Sequence, residues 1–204
     1  MTIIKVDPYI IDALKEIVNI GAGRSAALLA EMTHRQIVLT IPDVQIINSD
    51  ELCTVHGFDS TRSVATVSLV FKGVISGQTA LMIPPQSAAN LVSLLVHEEY
   101  DKAELDAVMV ETLKEVGNII VNGIMGSISN ILGERFTYSV PVYQQASVVS
   151  LMAGSRFGPC KDLIIAHTLF RVHEGDIEGN ILVILELGSL DVFIDRISEI
   201  SRSG

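Results

Sequence analysis

Four residues near the start of this chain, Asp12, Glu16, Asn19 and Gly23, fall on one narrow line if the segment is helical. At 100° per residue, Glu16, Asn19 and Gly23 lie at about 40°, −20° and 20° from Asp12. Glu111, Glu115, Asn118 and Asn122 repeat that line in the second half. A carboxylate one turn before a carboxamide has a limited chemistry. The Glu can pair with a cation or accept a proton. The Asn is no base at neutral pH, but it presents acceptor and donors enough to hold a water in a fixed direction. Holding a water in line with a scissile bond is catalysis by orientation. The set has no nucleophile, metal ligands or phosphate cradle of its own, so it suits a reaction whose other parts a partner supplies.

Exposed Glu and Asn ordinarily do no more than stay hydrated. The repetition weighs against that reading. The run Asp12-Ala-Leu-Lys-Glu16-Ile-Val-Asn19 returns 99 positions later as Glu111-Thr-Leu-Lys-Glu115-Val-Gly-Asn118, and 22 residues separate each Asn from a proline, Pro42 and Pro141. An Asn inside a helix costs about 0.5 kcal/mol relative to Ala, so keeping it twice needs a reason. The chain reads as two copies of one unit.

The elements that must carry these lines follow from local signals. Asp7-Pro8 reads as an N-cap and first-turn proline, opening a helix to about residue 32. Ile10, Ile11, Leu14, Ile17, Val18, Ile20, Leu28 and Leu29 fill its other directions, so it should be buried nearly all round. Strands are expected over residues 36–41, 44–48, 63–72 and 77–83, the last two as a hairpin. Pro84-Pro85 opens a helix to about His97, and Asp101 with Glu104 resembles a capping box starting a helix that ends near Gly133. Strands over 136–140 and 142–149 follow, then a hairpin of 162–173 and 180–187 around Glu174-Gly175-Asp176, and a helix capped by Ser189. Each half is thus helix, strands, hairpin, helix. The expected fold is α+β, a pseudo-two-fold tandem repeat of about 1–100 and 101–204 in a single domain spanning 1–204.

Composition narrows the function classes. Hydrophobic residues make up 49% and charged residues 19% of 204, with mean hydropathy +0.45, which implies a thick core. No apolar run reaches the length of about 18 residues that spans a bilayer, so no membrane insertion is expected. The N-terminal MTIIKVDPYI has no signal-peptide pattern, and Cys53 and Cys160 show no CxxC spacing; a reduced, cytoplasmic compartment is expected. A net charge of −10 argues against nucleic acid and for protein partners. The duplication supplies internally what a homodimer would, so a monomer is expected.

Other motifs carry less. Gly21-Ala-Gly23-Arg-Ser-Ala26 fits G-x-G-x-x-A but lies inside a helix rather than after a strand, so its glycines more simply serve close helix packing. His34, His56, His97, His167 and His173 lack metal-ligand spacing, and no metal site is expected. No nucleophile elbow or catalytic triad stands out. Met32, Met82, Met109, Met125 and Met152 read as core filler, an exposed one being suited to a partner surface.

Both lines, with their prolines, resemble the signature of the CheC family of chemotaxis phosphatases (the CheC/CheX/FliY group): Asp or Ser, three residues, Glu, two residues, Asn, 22 residues, Pro. The likeness covers essentially the whole chain. It implies hydrolysis of the aspartyl phosphate on a CheY-type response regulator. Asn19 and Asn118 would orient the attacking water, and Glu16 and Glu115 would dock the partner. Asp12, Gly23, Glu111 and Asn122 would border the docking face. The protein would need no cofactor of its own, because Mg²⁺ belongs to the regulator. CheD is a further partner the family allows. Phosphoryl transfer is mostly positioning and charge stabilisation, so one ordered water is a coherent contribution. The departures are Glu111 at a position the family gives to Asp or Ser, Arg24 where relatives often have Asn, and Asn122 in place of the flat Gly23, so the two sites are expected to differ. The second reading is a non-catalytic interaction protein, like the middle domain of flagellar switch proteins; retention of both Glu-x-x-Asn pairs favours the enzyme.

Overall fold

Asp7 sets the start of the first helix. Its carboxylate accepts the Tyr9 N–H at 3.0 Å and Pro8 stands in the first turn. In the computed structural model, which describes residues 7–48, 62–96, 106–147, 150, 162–172, 175–186 and 188–203, α1 is Pro8–Thr33 and ends at His34 in the left-handed region (φ 53°). There follow β1 (Ile37–Asn48), β2 (Ser63–Lys72), β3 (Gly77–Ile83), α2 (Pro85–Val96), α3 (Ala107–Leu132), β4 (Thr137–Tyr138), β5 (Val142–Ser147), β6 (Asp162–Val172), β7 (Gly175–Leu185) and α4 (Ser189–Ser203).

Several boundaries differ from expectation. The cap of α3 is Asp106, which accepts the Met109 N–H at 2.9 Å; Asp101 and Glu104 lie outside the described residues. The two strands expected around Pro42 are one strand, β1, with a register shift between Thr40 and Asp43. The strand expected over 136–140 shrinks to the two residues of β4. Gly175 and Asp176 are paired within the β6–β7 ladder, opposite Val172 and Arg171, rather than forming the turn. The Ser189 hydroxyl accepts the Ser76 N–H at 3.3 Å, tying α4 to the β2–β3 turn instead of capping its own helix. Cys53, Cys160, His56, His97, His173 and Met152 lie outside the described residues.

One antiparallel sheet holds the strands of both halves in the order β1-β6-β7-β3-β2, with β4 and β5 along the far side of β2. Exchange β1, β2 and β3 for β5, β6 and β7 and the order reads back reversed, which is compatible with two copies about a pseudo-two-fold axis between β3 and β7. Alternate residues of each strand face opposite ways. On one face Leu39, Leu69, Phe71, Leu81, Ile164 and Val183 pack under the helices. On the other Ala80, Met82, Leu163, Ile165, Leu182 and Ile184 form a second buried cluster. Met82, Met109 and Met125 are core residues, whereas Met32 is exposed.

Helices α1 and α3 cross at close range through small residues. A Cβ on Gly21 would stand 2.5 Å from the Ile124 Cα, and one on Gly123 would overlap the Ser25 hydroxyl. That hydroxyl lies 3.0, 3.1 and 3.3 Å from the carbonyl oxygens of Gly21, Ile119 and Ile120, fastening one helix to the other. Gly23, by contrast, has open space around it and serves no packing. Both helices rest on one face of the sheet, so each keeps an outward side. Ile20 (43% exposed) and Leu28 (52%) stand on it, and α1 is therefore not buried all round as expected.

Candidate functional site

The two stripes are placed differently by the strands beside them. On α1, Asp12, Glu16 and Gly23 are exposed, and Asn19 is half-buried. The Asn19 carboxamide turns toward β1. Its Nδ2 donates to the carbonyls of Lys15 and Ile41, each at 2.9 Å, and its Oδ1 accepts the Ile41 N–H at 2.9 Å. Ile41 and Pro42 have no partner in the β1–β6 register, because the shift falls there. Asn19 therefore replaces the ladder at Ile41, and both of its donors and one acceptor position are occupied. The 22-residue gap to Pro42 acquires a structural reason in this copy: the side chain clasps the residue immediately before the proline. Glu16 borders a groove of about 210 Å³ walled by Tyr9, Ile20, Ile131 and Ile197.

On α3 the neighbouring strand is interrupted, and the carboxamide is not clasped. Glu111 pairs with Lys114 at 2.9 and 3.1 Å, and Glu115 is exposed. Asn118 Oδ1 accepts from Asn122 Nδ2 at 2.8 Å. Between β4 and β5, Ser139 is bound to β2: its N–H donates to the Val70 carbonyl at 2.9 Å and its Oγ accepts the Val70 N–H at 3.0 Å. Val140, the counterpart of Ile41, is 78% exposed where Ile41 is 1% exposed. A cleft of about 730 Å³ opens here, lined in part by Asn118, Asn122, Arg24, Arg135, Tyr138 and Ser139. Swapping the oxygen and nitrogen of both amides preserves the Asn118–Asn122 bond, so in either orientation one end of Asn118 is free of Asn122.

Tyr138 closes one side of this cleft against Phe136, edge-on at 6.4 Å between ring centres, and Phe136 in turn packs on Phe71 at 5.6 Å. Burial pushes its phenol up from 10.0 to about 12, so near neutral pH it remains a hydrogen-bond donor. His167 makes an ordinary polar contact, its Nδ1 3.2 Å from Asn180 Oδ1.

Each expected Glu–Asn pair thus lies on a single helix, and the two helices are neighbours. Arg24, Arg135, Tyr138 and Ser139 join the second stripe without having been nominated. For Arg24 a signal existed: it lies about 100° off its own stripe, and that direction leads to α3, where its Nη1 is 3.4 Å from Ser127 Oγ. For the other three no helical spacing gives a signal: Arg135 and Tyr138 come from the segment running from α3 into β4, and Ser139 stands at the break before β5.

The family model described as "Chemotaxis phosphatase CheX" matches residues 65–156, a stretch that contains the second stripe and not the first. The CheY-P phosphatase CheC of Bacillus subtilis (strain 168) is 28% identical over 133 residues, which is 64% of this chain and 63% of that relative's length. The fold matches Thermotoga maritima FliY with TM-score 0.77 at 18% identity, over 97% of this chain and 100% of that one. It matches the FliM middle domain from H. pylori with TM-score 0.68 at 11% identity, over 94% and 99%. No helix among the described residues is long and apolar enough to cross a membrane.

Proposed function

We propose that this chain, similar in sequence to a CheC protein and to the CheX family model and in fold to FliY, hydrolyses the aspartyl phosphate of a CheY-type response regulator through its second stripe. The observation that carries the reading is the partly free Asn118 carboxamide at an open cleft, one turn after the exposed Glu115. Aspartyl phosphate is an acyl phosphate, so its leaving carboxylate needs little help from an acid. Asn118 holds a water against the phosphorus. The water oxygen bonds to phosphorus, the bond from phosphorus to the aspartyl oxygen breaks, and the electron pair leaves with the carboxylate. The water's protons pass to the phosphate and to solvent. Glu115 pairs with a basic group of the partner and fixes the approach. Mg²⁺ held by the partner supplies charge neutralisation. Residues 1–204 act as one unit on this reading, since the cleft takes Arg24 from the first half and Asn118 from the second.

The first stripe favours a docking role. Asn19 is occupied by Ile41, while Glu16 stays exposed beside an apolar groove. Glu16 and Asp12 on this reading hold a partner without reacting with it.

The test is the decay of a phosphorylated CheY-type regulator with catalytic amounts of this chain. The expected result is acceleration by the wild type that Asn118→Ala reduces at least tenfold. Decay at the regulator's own rate, with several regulators tried, overturns the enzyme reading and leaves docking as the function.

A further inference from the structure

The cleft beside Asn118 is locally basic on a chain that is acidic in sum. The protein carries 24 Asp and Glu against 14 Lys and Arg. Yet Arg24 and Arg135 line this cleft, and among the described residues no Asp or Glu does. Both arginines are exposed. Neither forms a salt bridge among the described residues, and the 3.4 Å contact of Arg24 with Ser127 Oγ leaves most of its donors unused. The remaining polar walls are amides, hydroxyls and the protonated phenol of Tyr138, all able to donate. Around Glu16 the groove has the opposite character: an acid, apolar walls and no cation among its lining.

We propose that Arg24 and Arg135 form an anion-recognition rim that takes a tetrahedral oxyanion of the phosphate class and delivers it to Asn118. The planar guanidinium fork matches phosphate oxygens two at a time, which an ammonium does not. A chain of net charge −10 repels a phosphorylated, acidic partner surface at long range, and a local pair of cations reverses the sign where contact is made. Arg24 comes from α1 and Arg135 from the segment after α3, so the rim exists only once the two halves have packed. The inference rests on Asn118 being the working carboxamide, but its first test does not.

In that test the full chain is titrated with inorganic phosphate at low ionic strength, with chloride as control, while the side-chain amide signals of Asn118 and Asn122 are followed by NMR. The expected result is a saturable shift, absent with chloride and weakened at least fivefold in the Arg24→Gln/Arg135→Gln double variant. In the second arm the double variant raises KM for the phosphorylated regulator at least fivefold more than it lowers kcat. Thermal unfolding checks that the variant is folded, which two exposed side chains should permit. If phosphate binding weakens but KM is unchanged, the rim serves free phosphate rather than the partner's phosphoryl group. If wild type shows no turnover with any regulator, the phosphatase reading fails while the phosphate titration still decides the rim. No saturable shift in wild type, or an unaltered one in the double variant, overturns the proposal.

Discussion

Asn19 and Ile41 are joined by a two-way amide pair, the Asn19 side chain donating to the Ile41 carbonyl and accepting its N–H, each at 2.9 Å. Ile41 is 1% exposed, so its backbone groups have little access to water as a substitute. Removing one partner of a buried hydrogen bond costs the desolvation of the group left behind, about 1–3 kcal/mol each. Asn19→Ala should therefore lose about 2–6 kcal/mol in urea unfolding. Asn118→Ala, with no backbone clasp to break, should lose less than about 1 kcal/mol. Equal losses would contradict the different placement of the two residues.

Asn122 holds Asn118 at 2.8 Å, but its own Oδ1 is buried with no partner among the described residues. The gain from one bond is offset by the unmet acceptor, so Asn122→Ala should change stability by less than about 1 kcal/mol. Freed from this bond, Asn118 samples more rotamers, and turnover of the phosphorylated regulator should fall several-fold through kcat rather than KM. A variant with wild-type kcat would remove Asn122 from the account.

The helix crossing gives a sharper stability test. A Cβ at Gly21 meets backbone of Ile124 at 2.5 Å, which no side-chain rotation relieves. Gly21→Ala should cost at least about 2–3 kcal/mol, as overpacking does. Gly23→Ala, two residues on, meets nothing within 4 Å and should be neutral or slightly stabilising. Chemical denaturation of the pair distinguishes a crossing fixed by Gly21 from a stretch where any small residue serves.

The Tyr138 phenol, raised to about 12 by burial, gives a pH signature. The folded state holds this proton more tightly than the unfolded chain, whose tyrosines ionise near 10. Stability from this group is intact below pH 10 and is lost as the pH climbs from about 10 toward 12. Ultraviolet titration of the native protein should show a phenol ionising near pH 12 that Tyr138→Phe removes. Ionisation of that phenol near 10 would mean it is solvated.

Local signals in the sequence set much of the architecture. The Asp7-Pro8 start of α1 and the Gly77–Ile83 strand are where residue types alone put them. The capping box read at Asp101 and Glu104 falls outside the described residues, and the cap of α3 is Asp106, a residue the sequence reading did not single out. Pro42 looks like a strand break because proline has no N–H, but β1 is an edge strand, where that donor is not needed. The Glu–Asn stripes were visible from helical spacing, and Glu111, Arg24 and Asn122 already marked the two sites as different. How they differ was not legible, because it depends on whether the strand across from each Asn is continuous, as at Ile41, or interrupted, as at Val140. Arg135 and Tyr138 reach the cleft from the segment that runs from α3 into β4, which no helical spacing encodes.

The most direct measurement is the rate of regulator dephosphorylation by Asn118→Ala and Asn19→Ala side by side, each at a temperature where its fold is intact. Asn118→Ala should remove most of the acceleration, at least tenfold, while folded Asn19→Ala keeps at least half of the wild-type rate. Loss of activity in Asn19→Ala with Asn118→Ala near wild type would contradict that expectation.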